Sequence, residues 1–253
     1  MPKFVRTERE AHLLIVTLSR PEVLNSLHAA ACFELHDIWS DFAADPDLWV
    51  AIITGDGRAF CAGHDLADGP GDPMPESGWA GLSERPPILK PMIAAINGHA
   101  YGGGFEIALA CDIVVMDENA KLALSEPRVG VVALGGGAQR LVRKAPAALA
   151  MGMLLTGRAI TAPDAYRWGI ANEIAASGKT LEVARKWAND ILACAPLAVQ
   201  ATKRFAMASL EGNLPASIKS DREDNVADIL QWQDTQEGIA AFNAKRKPVW
   251  RGR

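Results

Sequence analysis

Four short apolar runs constrain most strongly what this chain can fold into. They cover residues 13–18, 49–54, 92–96 and 113–116, and they contain almost no polar side chains. Continuous apolar runs of this kind, separated by helical patterns, are typical of strands that are buried on both faces of a sheet. The sequence therefore predicts an α/β core.

Helical patterns lie between and after these runs. Ser26 is predicted to cap a helix that extends to about Phe42. From Ala138 onward strand patterns become rare, apart from 170–174, and Ala-rich helical runs dominate; these runs are 147–155, 163–168, 180–194, 197–210, 215–232 and 235–244. We therefore expect a helical C-terminal part after the α/β core.

Composition excludes several classes of protein. Apolar residues make up 49% of the 253, which is too many for a disordered chain. Twenty-six basic residues against 30 acidic ones give a net charge of −4, which argues against a nucleic-acid partner and an anionic membrane surface. The sequence has neither a membrane-spanning apolar stretch nor an apolar targeting segment at its N-terminus. We expect a cytoplasmic protein.

The cysteines and histidines give no sign of a metal site. Cys32, Cys61, Cys111 and Cys194 form neither a CxxC motif nor a cluster with zinc-ligand spacing. Spread cysteines in a chain of this length are expected to be buried thiols of a reducing compartment.

Residues 67–91 form a segment rich in glycine and proline that cannot be regular structure. It is too long for an ordinary connection between two elements, which favours a lid or the wall of a pocket. A loose surface loop is an equally good interpretation of the composition.

A second glycine-rich segment follows the third apolar run. Residues 97–106 read NGHAYGGGFE, and an apolar helix is predicted to begin there. Free N–H groups at such a helix start suit an anion, and glycine allows a ligand to come close to the backbone. The segment lacks the Lys-Ser or Lys-Thr of a phosphate loop. Taken alone, its glycines favour a tight turn with close helix packing.

Two further segments are candidates for a site. Residues 59–66 follow the second strand, and a backbone N–H beside Gly63 could face a ligand, although His64 and Asp65 could equally be a surface pair. In residues 122–140, Glu126 lies between apolar runs, which raises the chance that it faces a pocket.

Motifs in these segments occur in an order and spacing that resemble one family. They are Arg20-Pro21-x-x-Leu24-Asn25, Ala59-Phe60-Cys61-Ala62-Gly63-x-Asp65-Leu66, Asn97-Gly98-x-Ala100-x-Gly102-Gly103-Gly104-x-Glu106, Ser125-Glu126-x-x-x-Gly130, Gly136-Gly137-x-Gln139-Arg140-Leu141 and Glu237-Gly238-x-x-Ala241-Phe242-x-x-Lys245-Arg246-Lys247-Pro248. Together they resemble the enoyl-CoA hydratase/isomerase (crotonase) superfamily over essentially the whole chain.

The resemblance implies a fold and an assembly. The expected fold is α/β, a crotonase-like spiral of ββα turns with a C-terminal helical oligomerisation region. We expect the spiral core to span residues 1–195 and the helical region residues 196–253. The family usually forms homotrimers or hexamers that are dimers of trimers.

The resemblance also implies the chemistry. By motif position, the backbone N–H groups of His64 and Gly103 form an oxyanion hole for an acyl-CoA thioester. Glu106 and Glu126 match the two glutamates with which hydratases of the family hold and activate one water. The predicted activity is therefore enoyl-CoA hydratase, that is, reversible syn addition of water to a 2-enoyl-CoA. The alternatives are an enoyl-CoA isomerase, a carnitinyl-CoA-type dehydratase and, with less support, a non-catalytic or RNA-binding relative.

Coenzyme A itself is expected to bind as part of the substrate, and neither a separate cofactor nor a metal is predicted. By resemblance, the backbone near Leu24, Ala62 and Leu66 contacts it, and Phe242 with Lys245 reaches its nucleotide end, often from a neighbouring subunit. A solvated basic tail is an equally good interpretation of Lys245-Arg246-Lys247. His64 is bulkier than the alanine common at its position, which favours a polar or non-standard acyl group.

Overall fold

The structure is a computed structural model that describes residues 3–65, 73–210, 212 and 214–253, with the backbone alone at 223–224. Its strands are β1 (Val5–Glu10), β2 (Leu13–Leu18), β3 (Val50–Gly55), β4 (Ala59–Cys61), β5 (Met92–Ile96), β6 (His99–Tyr101), β7 (Ile113–Asp117), β8 (Lys121–Ala123), β9 (Ile160–Thr161) and β10 (Glu173–Ala175). Its helices are α1 (Ala29–Ala44), α2 (Gly103–Ala110), α3 (Gly137–Lys144), α4 (Ala147–Thr156), α5 (Ala162–Arg167), α6 (Thr180–Leu192), α7 (Pro196–Ser209), α8 (Leu214–Gln231) and α9 (Gln233–Asn243).

The strands form two sheets through which the chain winds in repeated turns. A six-stranded sheet has the order β1-β2-β3-β5-β7-β10, and a four-stranded sheet has the order β4-β6-β8-β9. Three successive turns each place one strand in the first sheet and the next strand in the second, as β3 with β4, β5 with β6, and β7 with β8. Neighbouring turns pair in parallel in both sheets. The expected α/β spiral of ββα turns is confirmed.

The central strands are buried on both faces, as their continuous apolar runs predict. Ile53 belongs to a cluster that contains Trp39 of α1, whereas its neighbour Ile52 belongs to a second cluster that contains Ala184 of α6. Ile52 and Ile53 are both inaccessible to solvent because successive side chains of a strand point to opposite faces. Helix α1, which connects β2 to β3, and helix α6, which follows β10, therefore cover opposite faces of the sheet.

Helix α1 begins later than predicted. His28 is its N-cap, and the ring Nδ1 of His28 accepts a hydrogen bond from the backbone N–H of Ala31 over 3.2 Å. The predicted cap, Ser26, is wrong because the chain is still extended there, and Leu27 donates to the carbonyl of Gly63 over 2.8 Å. This contact ties the start of α1 to the segment after β4.

Two other local expectations need correction. The strand predicted at 170–174 is β10 at Glu173–Ala175, because the N–H groups of Ile170 and Ala171 instead bond to the carbonyl of Ala165 at the end of α5. Cys194 is exposed, whereas the other three cysteines are buried as expected.

The C-terminal helices are present as predicted, with α7, α8 and α9 following α6. The division of the chain between residues 195 and 196 stays a prediction. No helix among the described residues is both long enough and apolar enough to span a membrane.

Candidate active site

The first part of the site is the glycine turn that leads into α2. Gly102 has φ +53°, and its N–H donates to the carbonyl of Ala123 over 2.8 Å, which joins the turn to β8. Helix α2 then starts at Gly103 without a side-chain cap. Because the first N–H groups of a helix have no partner within it, the N–H of Gly103 is free for a ligand. No hydrogen bond within the described ranges uses this N–H group.

The second part is the segment after β4, which packs against this helix start. Gly63 has φ +100°, and a Cβ atom built on it would lie only 3.1 Å from the backbone nitrogen of Gly103. The carbonyl of Gly63 and the N–H of Asp65 both bond to Leu27, each over 2.8 Å. The N–H of His64 lies between these two groups and points away from Leu27, because successive amides of an extended chain alternate in direction. No group in the described part of the chain accepts a hydrogen bond from it.

Glu106 lies in the first turn of α2 and is 5% exposed. Its Oε1 accepts a hydrogen bond from the N–H of Gly137 over 2.8 Å. The pKa of this carboxyl is raised to about 6, mainly by burial and to a smaller extent by the charge of Glu126, while the N–H groups of Gly137 and Gly135 act to lower it. The group is thus an ionisable carboxyl tuned close to neutral pH.

Glu126 reaches the same helix start from the other side. It opens a short 3₁₀ turn (Glu126–Val129) that follows β8. A Cβ atom built on Gly102 would lie 3.3 Å from Oε1 of Glu126. The second oxygen, Oε2, is buried and has no hydrogen-bond partner among the described residues. Burial raises the pKa of Glu126 as well, and a buried acceptor without a partner is suited to a bound water or substrate.

The loop at residues 135–137 encloses Glu106. A Cβ atom on Gly135 would lie 2.5 Å from Oε2 of Glu106, so a larger residue has no room there. Arg140 of α3 fixes the loop, since its Nη1 donates to the carbonyl of Gly135 over 2.8 Å. The positive charge of Arg140 also acts to lower the pKa of Glu106.

Sequence reasoning missed one residue of this site, Trp79. Its indole Nε1 donates to the carbonyl of Gly103 over 3.1 Å, and its ring lies 5.7 Å from the ring of His64, centroid to centroid. The available signal was a single aromatic residue among small ones at 77–81. Within the described part of the Gly/Pro-rich segment, 73–91, Trp79 thus lies against the site.

The residues expected to contact coenzyme A fall into two groups. Leu24 and Ala62 lie together, because the N–H of Ala62 donates to the carbonyl of Leu24 over 3.0 Å. Leu66 lies outside the described residues. Phe242 and Lys245 lie at the end of α9, where Phe242 is 84% exposed. No hydrogen bond or ion pair of the described chain links these two residues to the glutamates.

The structure thus brings four of the predicted site residues to one helix start: His64, Gly103, Glu106 and Glu126. Their roles stay predictions. Within the described ranges, no group of three His, Cys, Asp or Glu side chains is placed to hold a metal ion.

Comparison with known proteins identifies the family. The sequence profile described as enoyl-CoA hydratase/isomerase matches residues 8–253. The chain is 41% identical over 250 residues to a carnitinyl-CoA dehydratase of Proteus mirabilis, with 95% of each protein covered. Among solved structures, it is similar to an enoyl-CoA hydratase of Mycobacterium tuberculosis, with a TM-score of 0.94, 37% identity and 99% of each chain covered.

A carnitinyl-CoA hydratase of Mycobacterium avium is also similar, with a TM-score of 0.79, 38% identity and complete coverage of both chains. The family profile spans nearly the whole chain, and these relatives share both its length and its fold. The chain is therefore a crotonase-superfamily enzyme and belongs to the enoyl-CoA hydratase/isomerase family, whose members act on acyl-CoA thioesters.

Proposed function

We propose that this protein catalyses the reversible addition of water across the double bond of a 2-enoyl-CoA thioester. The observation that carries the proposal is the pair formed by the buried Glu106 and the half-buried Glu126, whose carboxyls meet at one helix start with raised pKa values. Two such groups can hold a single water, with one proton shared between them near neutral pH.

The two glutamates have different surroundings, which supports different roles. Oε1 of Glu106 accepts a backbone N–H bond, which favours the ionised form and suits a general base. Oε2 of Glu126 is buried and has no partner among the described residues, so this oxygen is available to carry the proton that a general acid delivers. We assign Glu106 as the base and Glu126 as the acid.

In the hydration direction, Glu106 removes a proton from the bound water as its oxygen bonds to the β-carbon of the acyl group. The electron pair of the double bond moves toward the thioester and forms an enolate. Glu126 then delivers its proton to the α-carbon, and the thioester carbonyl re-forms. At the end of the reaction Glu106 is protonated and Glu126 is ionised. Transfer of the proton from Glu106 to Glu126 restores the starting state. Water is thus the only species added.

The N–H groups of His64 and Gly103 are assigned to the thioester oxygen. Both lie beside the glutamates, and neither has a partner in the described part of the chain. The N–H at the start of α2 also lies at the positive end of the helix dipole. Donors that are fixed before the reaction stabilise the enolate charge without reorganisation.

Binding of coenzyme A is proposed for the backbone around Leu24 and Ala62, and for Leu66, which lies outside the described residues. Phe242 and Lys245 are assigned to the nucleotide end in a neighbouring subunit, because no hydrogen bond or ion pair of the described residues links them to the glutamates of their own chain. Exposed apolar side chains on α8 and α9 support assembly of a homotrimer or a hexamer; they include Ile218, Leu230, Ile239 and Phe242.

The second candidate is the same reaction run as the dehydration of a substituted 3-hydroxyacyl-CoA. It is favoured by the 41% identity to a protein named carnitinyl-CoA dehydratase. Both candidates require the same two glutamates, so they differ in the acyl group and not in the chemistry.

An acyl-CoA panel tests the proposal. Crotonyl-CoA, 4-trimethylammonio-crotonyl-CoA and 3-enoyl-CoA are incubated with the protein, and the products are identified by mass and chromatography. Gain of one water by either 2-enoyl thioester supports the proposal, and their relative kcat/KM separates the two candidates. Shift of the double bond in 3-enoyl-CoA without hydration identifies an isomerase instead. Turnover of none of these thioesters, together with RNA retention on a filter that weakens with added salt, would favour the RNA-binding alternative.

A further inference from the structure

Trp79 is held firmly by the segment that carries it. Its backbone N–H donates to Oγ of Ser83 over 2.7 Å, and the next residue, Ala80, is fully buried. A Cβ atom on Gly81 would lie 2.7 Å from the backbone nitrogen of His36, so this turn packs directly against α1. Arg85 adds a link, with Nε donating to the carbonyl of Gly81 over 2.9 Å.

Additional bonds fix the same turn to α1. The indole of Trp39 donates to the carbonyl of Ala80 over 3.2 Å, and Nη2 of Arg85 donates to the carbonyl of His36 over 2.9 Å. The backbone that carries Trp79 is therefore anchored at several points, and the indole cannot leave its place without breaking its own hydrogen bond to the carbonyl of Gly103.

The indole itself lies on the reacting part of the site. A Cβ atom on Gly103 would lie 2.6 Å from Nε1 of Trp79, so the ring packs directly against the residue assigned as an oxyanion donor. The adjacent carbon of the pyrrole ring, Cδ1, lies 3.0 Å from a Cβ atom built on Gly135, the glycine that also packs on Glu106. On its third side, the ring faces His64.

Trp79 is only partly buried, although its single hydrogen-bonding group is satisfied by Gly103. Part of Trp79 therefore remains accessible to solvent, and its ring lies next to Gly103, His64 and the glycine that packs on Glu106. An acyl group whose carbonyl lies at those donors must pass close to this surface. A fixed aromatic ring at this position limits the space beside the thioester carbonyl.

We propose that Trp79 is a specificity-determining residue, which admits a short, compact acyl group and excludes a long alkyl chain. The inference rests on the proposed function, since it takes the thioester carbonyl to lie at His64 and Gly103. Pocket walls of this kind change the preference between substrates that differ in size by about 10- to 200-fold.

Binding of saturated acyl-CoAs tests this inference separately from catalysis. Calorimetric Kd values of butyryl-CoA and dodecanoyl-CoA are compared for the full-length wild type, Trp79→Ala and Trp79→Phe. We expect the wild type to prefer butyryl-CoA, and Trp79→Ala to raise the relative affinity for dodecanoyl-CoA by about tenfold or more, with a smaller rise in Trp79→Phe. Trp187→Phe is the matched control, because that indole bonds to Glu173 on the far side of the sheet.

An unchanged ratio of the two Kd values in Trp79→Ala and Trp79→Phe would overturn the proposal. Such a result would indicate that the acyl chain instead follows the apolar groove lined by Leu124, Val132 and Met151. Binding of neither thioester by the wild type would overturn it too. If the ratio of the two Kd values shifts but the protein hydrates no 2-enoyl-CoA, the role of Trp79 in acyl-chain selection is supported. Only the hydratase assignment is then refuted. If Trp79→Ala fails to fold, the ratio for Trp79→Phe decides.

Discussion

The backbone N–H of Gly137 donates to Oε1 of Glu106 over 2.8 Å, and Gly137 has no room for a side chain at that point. A Cβ atom there would lie 2.9 Å from both Cγ and Oε1 of Glu106 and 3.0 Å from Cδ2 of Leu124. The same glycine thus orients the carboxyl and sets the space available to it.

Gly137→Ala should therefore lower kcat while the fold is kept, because the new methyl group displaces the carboxyl assigned as the base. We expect a loss on the order of 100-fold, the usual contribution of a general base. The assay is steady-state hydration of crotonyl-CoA, with circular dichroism as a check on the fold.

Gly152→Ala is the matched control, since a Cβ atom at Gly152 on α4 meets nothing within 4 Å. It should retain activity and gain about 0.5–1 kcal/mol of stability from helix propensity. Equal activity of the two alanine variants would contradict the role given to the Gly137–Glu106 contact.

The pH dependence of the rate follows from the pKa of Glu106. Because that pKa is raised to about 6 and the base must be ionised, kcat/KM for hydration should fall about tenfold per pH unit below about pH 6. Arg140→Gln removes a charge that acts to lower the pKa of Glu106. The midpoint of the pH dependence of kcat/KM should therefore move to higher pH. The measurement is a kcat/KM profile with crotonyl-CoA.

Arg143→Gln is the control for this shift, because Arg143 belongs to the same helix, α3, but is exposed to solvent. Its profile should superimpose on that of the wild type. A midpoint in Arg140→Gln that is unchanged or lower would show that the guanidinium of Arg140 does not act on Glu106.

Glu106 should also cost the protein stability at neutral pH. Its pKa in the folded state, about 6, lies above its ordinary value of 4.5, so the folded protein binds the proton more tightly than the unfolded chain. Stability from this group is present below about pH 4.5 and is lost as the pH rises through about 6. The loss amounts to about 2 kcal/mol, at 1.36 kcal/mol per pKa unit.

The variant Glu106→Gln lacks this carboxyl and does not lose stability in this way. Its free energy of unfolding minus that of the wild type should therefore increase by about 2 kcal/mol from about pH 4 to about pH 8. Urea unfolding at the two pH values gives this difference. Glu182→Gln, at an exposed pair with Lys179, controls for the general effect of removing one carboxyl. A difference that stays constant or reverses with pH would refute the raised pKa.

The sequence allowed the sheet and part of the site to be predicted for local reasons. The strand at 92–96 and the start of α2 each follow from a contiguous pattern, an apolar run and a glycine turn. Glu106 belongs to the first turn of that helix, so its place follows from the same pattern. Glu126 is a candidate from the sequence because, although a lone glutamate usually faces solvent, its position between apolar runs raises the chance that it faces a pocket.

The remaining features depend on contacts between distant parts of the chain. Trp79 belongs to the site because Gly81 packs on α1, which no pattern within the segment encodes. Strand β1 was missed because five of its six side chains are charged or polar, as an edge strand with solvent-facing residues permits. His28 caps α1 because Leu27 is bonded to Gly63, and this partner becomes adjacent only in the folded chain.

The last prediction separates a backbone role from a side-chain role at the two assigned oxyanion donors. His64→Ala keeps its backbone N–H, so kcat for crotonyl-CoA should change by less than about threefold, whereas the loss of one donor typically costs 100- to 1000-fold. If the imidazole selects a polar acyl group, the variant should alter the preference between crotonyl-CoA and 4-trimethylammonio-crotonyl-CoA. An unchanged substrate profile would exclude that selection.

Gly103→Ala is the complementary variant. The added methyl group would clash with the anchored indole of Trp79, so the start of α2 must shift and its N–H must leave the oxyanion position. We expect kcat to fall on the order of 100-fold or more, with the far-ultraviolet spectrum unchanged. The double variant Gly103→Ala/Trp79→Phe should recover part of the loss if the clash is its cause. A Gly103→Ala enzyme with nearly full activity would rule out that N–H as a donor.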